Sequence, residues 1–189
     1  RAMQDGHTRY TAVDGIPELK QAIREKFKLD NGLSYEHSQI SVSTGGKQVL
    51  YNAFMATLNA GDEVIIPAPY WVSYPDMVVL AEGRPVIATC LAQNDFKLTA
   101  EELEAAITPA TRWLILNSPS NPTGSVYNQH ELKALAEVLL RHPQILVMSD
   151  DIYEHLIYGE AEFSTLAQVE PKLFSRTLTC NGMSKAYCM

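Results

Sequence analysis

No apolar run in this sequence approaches the roughly 20 residues that a membrane-spanning helix requires, and the opening RAMQDGHTRY has no apolar stretch of the kind a secretory leader carries. A cytoplasmic protein with no membrane partner is the resulting expectation. Positive charge is also scarce: 15 Lys and Arg stand against 22 Asp and Glu, a net charge of -7. That balance excludes the clustered basic footprint of a nucleic-acid-binding domain. There are three cysteines, Cys90, Cys180 and Cys188. Their odd number and lack of short paired spacing argue against a disulfide framework and a zinc site alike, leaving reduced structural thiols. Internal repeats, low-complexity tracts and Ser/Gly-rich linkers are absent too, so no domain boundary is visible. The first helix signal comes only after Tyr10, and the closing NGMSKAYCM has neither cap nor turn, so the chain reads as part of something longer.

What is present is ordinary globular material: 189 residues, 46% hydrophobic and 20% charged, enough for one sizeable core. Gly15-Ile16-Pro17 puts a proline where a first helical turn tolerates it, and Ile16, Leu19, Ala22, Ile23 and Phe27 recur at helical spacing until Asn31-Gly32. ISVSTGG then reads as a short strand ending in two glycines, and KQVLYNAFMATLNAG as a helix. The alternation continues. EVIIPAP, RPVIATC, RWLILN, QILVMSD and SRTLTCN read as strands, with helices over Met77 to Ala81, after the capping box Thr99-Ala100-Glu101-Glu102, and over Asn128 to Arg141. Continuously apolar strands separated by helices predict an α/β fold, with a mainly parallel sheet covered on both faces in three αβα layers.

In such sheets ligands sit outside the carboxyl ends of the strands, so the residues just after each apolar run carry the chemistry. Five of these ends are unusual. Ser43-Thr44-Gly45-Gly46-Lys47 is either plain turn chemistry or a phosphate cradle at a helix N-terminus. Pro69-Tyr70-Trp71-Val72-Ser73-Tyr74-Pro75 is either a hydrophobic plug or an aromatic platform for a planar ring. Asn117-Ser118-Pro119-Ser120-Asn121-Pro122-Thr123-Gly124 is a loop stiffened by two prolines that leaves amide side chains free to bind. Ser149-Asp150-Asp151-Ile152-Tyr153 puts two carboxylates where burial demands a partner, although one of them suits a helix N-cap. Asn181-Gly182-Met183-Ser184-Lys185 offers a lysine that burial would neutralise into a nucleophile, or simply a solvated surface residue.

Together, YTAVDGIPELKQAI, STGGKQ, PAPYWVSYP, NSPSNPTG, SDDIYEHLIY and NGMSKAY resemble, in this order, the class I and II aminotransferases of fold-type I, and the wording is closest to their aspartate aminotransferase subgroup. The resemblance covers essentially the whole chain. It implies pyridoxal 5'-phosphate as cofactor, held as a Schiff base on Lys185, which would also act as the base in proton transfer. Asp150 would pair with the pyridinium nitrogen. Tyr153 and Asn121 would hydrogen-bond the phenolic oxygen, with Asn121 also reaching the substrate carboxylate. Trp71 would stack on the ring and belong to the substrate site as well. The backbone at Gly46 and Lys47 would hold the phosphate at a helix N-terminus, Gly45 and Ser184 would belong to the cofactor site, and Lys47 would also meet the distal carboxylate of aspartate or glutamate. Tyr10 matches a tyrosine that, in relatives, reaches the phosphate of the neighbouring subunit, which implies a homodimer.

The implied reaction exchanges an amino group between an amino acid and a 2-oxo acid. Alternatives on the same scaffold are a lyase or synthase, or a non-catalytic aminotransferase-like module or fragment. Relatives carry a Gly-Trp-Arg-type segment beyond the lysine and a carboxylate-binding arginine far downstream, and neither lies in these residues. Residues 1–189 are therefore expected to be a partial pyridoxal phosphate-binding large domain, without the N-terminal arm and the small domain. Asp151 stands where Glu is usual in the family, and Cys188 where a small residue such as Ala is usual.

Overall fold

A proline at the first helical position and a left-handed glycine after the last delimit α1, Pro17–Asn31, with Ile16 extended at its start and Gly32 at φ 66° closing it. In the computed structural model, which describes residues 1–189, this helix belongs to the first of two units, Arg1–Thr44 and Gly45–Met189. Within the first unit the Phe27 ring is buried edge-on to Tyr35, 5.3 Å between centroids. Lys20 is buried and paired with Asp14. Only Phe27 of the expected apolar stripe is fully buried, while Ile16 and Leu19 are exposed.

The strand expected at ISVSTGG does not form. Its backbone is committed elsewhere: the Val42 N–H donates to the Asp14 carbonyl at 3.0 Å. Gly15, at φ 107°, packs so close that a Cβ there would lie 2.7 Å from Val42 Cγ2. A segment held by a turn in this way has no ladder to join.

The second unit alternates helices and strands as the sequence predicts, with two four-residue helices near its end that the sequence does not mark. In order the elements are α2 Gly46–Thr57, β1 Glu63–Ala68, α3 Ser73–Leu80, β2 Arg84–Thr89, α4 Ala100–Ala106, β3 Thr111–Asn117, α5 Gln129–Arg141, β4 Leu146–Asp150, α6 Leu166–Val169, β5 Thr177–Cys180 and α7 Met183–Ala186. The strands form one sheet in the order β2-β1-β3-β4-β5, and every pairing is parallel. Because β2 lies on one side of β1 and β3 on the other, the chain reverses its winding there. The crevice at this reversal is where open α/β sheets receive ligands.

Alternate residues of the strands feed two separate cores, which gives three layers. On one face Val64, Ile66, Trp113, Ile115 and Met148 pack under α2 and α3 through Leu50, Phe54, Met77 and Val78. On the other, Ile65, Leu114, Leu116 and Val147 meet α4, α5 and α6 through Leu103, Leu135, Leu139 and Leu166. The α/β class, the αβα layering and the parallel sheet all agree with the sequence.

The expected capping box at Thr99 and Glu102 is present in both directions, and Asn128 with Glu131 forms a second at the start of α5. At the other end of α5 the Arg176 guanidinium donates to the carbonyls of Leu139, His142 and Ile145. One side chain thus ties a carbonyl of the helix's last turn to two carbonyls of the segment that follows it. No helix is long and apolar enough to cross a membrane.

Candidate active site

The carboxyl ends of the strands open onto a cleft of about 240 Å³. The N-terminus of α2 lines it with Gly45, Gly46 and Lys47, and the segment after β1 with Trp71 and Tyr74. Asn117 and Asn121 enter from β3 and its loop, Asp150 and Tyr153 from the end of β4, and Ser184 and Lys185 from the turn after β5. Nine of the ten residues singled out from sequence meet here. Tyr10 belongs to the N-terminal unit and is fully exposed.

Each side chain is placed by local chemistry. Gly45 sits at φ 94°, and a Cβ there would meet nothing within 4 Å. Its conformation, rather than crowding, therefore asks for glycine. Gly45 at the N-cap has no side chain to cap α2, and the Gly46 and Lys47 amides at its first turn have no partner within the helix. The Lys47 ammonium rests 5.1 Å from the centroid of the Trp71 ring.

The helix expected over Met77 to Ala81 starts earlier, at Ser73. Pro75 causes no break, since a proline in a first turn removes no intrahelical hydrogen bond. Tyr74 consequently faces inward instead of lying in a loop. It is buried, stands edge-on to Trp71 at 5.3 Å, and donates its hydroxyl to Asp150 Oδ2 at 2.6 Å. In the sequence Tyr74 stands out only as one of three clustered aromatics.

The loop after β3 is tied to the end of β4. Asn117 Nδ2 donates to the Asp150 carbonyl at 2.8 Å, and its Oδ1 accepts the Asn121 N–H at 2.8 Å. Asn121 Nδ2 then reaches the Tyr153 hydroxyl at 3.3 Å. Asn117, the first residue of the loop motif, is the link that holds Asn121 in register with Asp150 and Tyr153.

Asp150 is 6% exposed, and no cationic side chain pairs with it. Burial pushes its pKa up, while the Tyr74 hydroxyl and the Ile152 N–H oppose that by favouring the ionised form. Asp151 is not the helix cap that its residue type suggested. A turn follows it, with the Glu154 N–H on the Asp151 carbonyl, and its side chain is buried, accepting from Ser149 Oγ at 2.8 Å. Its Oδ2 has no partner, and burial raises its pKa to about 8.

Lys185 lies exposed on the single turn α7, whose residues are all outside the core, with its amine 5.7 Å from the Tyr153 ring centroid. Of the two readings the sequence offers, the exposed one holds within these residues. The three cysteines are free; Cys90 and Cys180 are buried, and Cys188 is exposed.

A parallel sheet covered on both faces thus brings a lysine, a buried aspartate and a tyrosine-asparagine pair to one cleft at its strand ends. The chain belongs to the aminotransferase class I and II family, whose model matches residues 1–189. Among its relatives is the aspartate/prephenate aminotransferase of Cereibacter sphaeroides, 66% identical over all 189 residues, which make up 47% of that protein. Solved structures agree. The aspartate aminotransferase of Rhizobium meliloti superposes with a TM-score of 0.98 at 59% identity, covering 100% of this chain and 47% of that one. That of Thermus thermophilus, described with maleate, gives 0.94 at 46%, covering 100% and 48%. The chain spans about half the length of the curated relatives it matches.

Proposed function

We propose that the protein carrying this chain transfers an amino group between an amino acid, aspartate or glutamate first, and a 2-oxo acid, using pyridoxal 5'-phosphate. The observation that carries the proposal is Asp150: a buried carboxylate that faces the cleft and lacks a cationic partner inside the chain. Such a group is costly unless a cation meets it, and a protonated ring nitrogen is a cation of suitable shape. The rest of the donor set fits the same ligand. The amides of Gly46 and Lys47 at the start of a twelve-residue helix suit a phosphate, helped by the open backbone at Gly45 and the Ser184 hydroxyl in the same cleft.

When bound, the cofactor supplies an aldehyde that an amine can capture and a ring that accepts electrons. The chain's own residues would do the remainder. Lys185 Nζ would be the amine for covalent attachment and then the base that moves the proton at the substrate Cα. Tyr153 and Asn121, already hydrogen-bonded to each other, would turn their donors to the phenolic oxygen, with Asn121 also reaching the substrate carboxylate. Asp150 would hold the ring nitrogen protonated. Trp71 offers its face to the ring, and Lys47, above the same indole, would meet a distal carboxylate.

Names of relatives support an acidic substrate, since they include aspartate/prephenate and aspartate aminotransferases. We further propose a homodimer in which Tyr10, fully exposed here, reaches the partner subunit's cofactor. Free thiols throughout accord with a cytoplasmic setting. The domain reading follows: these residues would be the cofactor-binding part, with an N-terminal arm and a small domain contributed by the rest of the protein.

Borohydride reduction of the full-length protein with pyridoxal phosphate, followed by peptide mass mapping, tests the proposal. Label on Lys185 is expected. An unlabelled Lys185, or a bound-cofactor absorbance that does not respond to aspartate, would overturn it.

A further inference from the structure

Tyr74 and Asp150 are 76 positions apart and meet in the interior, hydroxyl on carboxylate at 2.6 Å. The same tyrosine ring stands at 87° to Trp71 with 5.3 Å between centroids. Two features of the cleft that the sequence treats as independent, the aromatic platform and the buried acid, therefore rest on one side chain. We propose that Tyr74 is a positioning residue: its phenol fixes Asp150 Oδ2 and leaves the carboxylate's other oxygen for the cleft, while its ring braces Trp71 at the matching depth. This rests on the reading of the cleft as a pyridoxal phosphate site.

The physical basis is the scarcity of donors around Asp150. Apart from the Tyr74 hydroxyl, only the Ile152 N–H favours its ionised form. The titratable groups nearest it otherwise are Cys180 on β5 and Asp151 next in the chain, whose protons its negative charge holds in place, while Tyr153, Lys185 and Lys47 line the same cleft without hydrogen-bonding to it. A phenol is well chosen for this task. Burial and the Asp150 carboxylate hold the Tyr74 proton on its oxygen well above the ordinary phenol range. It therefore stays a donor at every pH at which the protein works, and a charge-assisted bond of this kind is short and directional. Starting α3 at Ser73 rather than later is what brings the hydroxyl within reach.

Removing only the hydroxyl isolates the effect. In the full-length protein, Tyr74→Phe keeps the ring against Trp71 and strips Asp150 of one donor. Affinity for pyridoxal phosphate, measured by equilibrium dialysis across pH 5 to 8, is expected to fall about tenfold, as loss of a hydrogen bond to a charged group implies. The acid-side loss of affinity should also move to higher pH, because Asp150 with fewer donors takes up a proton more readily. With cofactor labelled with nitrogen-15 in the ring, the bound ring-nitrogen resonance should move toward its unprotonated position.

A double-mutant cycle with Asp150→Asn separates positioning from bulk packing. The Tyr74→Phe effect should largely vanish when Asp150 is already neutral. An equal loss in both backgrounds, or an unchanged acid limb in the single variant, overturns the proposal. If Asp150→Asn alone leaves cofactor affinity intact, the cofactor reading of the cleft falls, and the positioning role falls with it. If Asp150→Asn weakens binding and Tyr74→Phe does not, only the role of Tyr74 is lost.

Discussion

Asp150 and Asp151 are consecutive in the chain and face opposite sides of the sheet. Asp150 meets Tyr74 under α3, whereas Asp151 turns to Ser149, which in turn bonds Thr165 at the start of α6. The strand's two-residue period separates two like charges that would otherwise share one pocket. It gives one aspartate to the cleft and leaves the other as a buried acid with a bare Oδ2.

Asp151 should make stability fall as pH rises. Its folded pKa, about 8, lies above the ordinary carboxyl value of 3.8, so the folded state holds the proton more tightly than the unfolded one. The resulting stabilisation is complete below about pH 4 and is lost progressively up to about pH 8. Asp151→Asn removes that dependence. Urea denaturation from pH 5 to 9 should show the variant more stable than the parent by roughly 1–3 kcal/mol at the alkaline end, with the gap closing toward pH 5. Parallel curves for the two proteins would contradict this.

Gly15→Ala should destabilise the N-terminal unit for two separable reasons, a φ of 107° and a contact of 2.7 Å with Val42 Cγ2. A loss of about 1–3 kcal/mol is expected. Val42→Ala in the same chain should recover the steric part and leave the backbone part. Amide hydrogen exchange over residues 12–44 reads the difference locally.

Tyr127 accepts the buried Leu98 N–H on its hydroxyl at 2.7 Å. Replacement by Phe leaves that amide without a partner, costing about 1–3 kcal/mol. Denaturant titration measures the loss, and increased exchange at the Leu98 amide identifies its source.

Lys47 is the residue on which acidic-substrate preference turns in the proposed function. In the full-length protein Lys47→Gln should raise KM for aspartate more than tenfold, the scale of a charge-assisted pair, while an amino acid with an uncharged side chain is affected much less. Steady-state kinetics with the two substrates decide it. Equal changes for both would assign Lys47 to the phosphate instead.

Much of the fold was legible because its signals are local. The capping pairs Thr99 with Glu102 and Asn128 with Glu131 satisfy amides three residues apart, and the Pro17 and Gly32 boundaries of α1 follow from the φ each residue favours. Apolar runs such as RWLILN also announce a strand covered on both faces. The segment at Val42 departs from its sequence signal for the complementary reason. β-branched residues favour an extended backbone, but a strand also needs a neighbour, and the Val42 N–H had gone to Asp14.

The candidate site divides in the same way. Gly45, Trp71, Asn121, Asp150, Tyr153 and Lys185 could be singled out because each follows an apolar run, and a parallel sheet sends all such ends to one side. Asn117 and Tyr74 drew no separate attention, since nothing in their own neighbourhoods says that one would reach the Asp150 carbonyl and the other its carboxylate. By itself the sequence determined the alternation of helices and strands, the caps, and the set of residues delivered to the carboxyl edge, all of which depend on interactions within a few positions. Only the tertiary structure decided the strand order β2-β1-β3-β4-β5, which of two adjacent aspartates faces the cleft, and the exposure of Lys185. Those outcomes depend on side chains brought together across dozens of positions, where burial and hydrogen bonding select the partners.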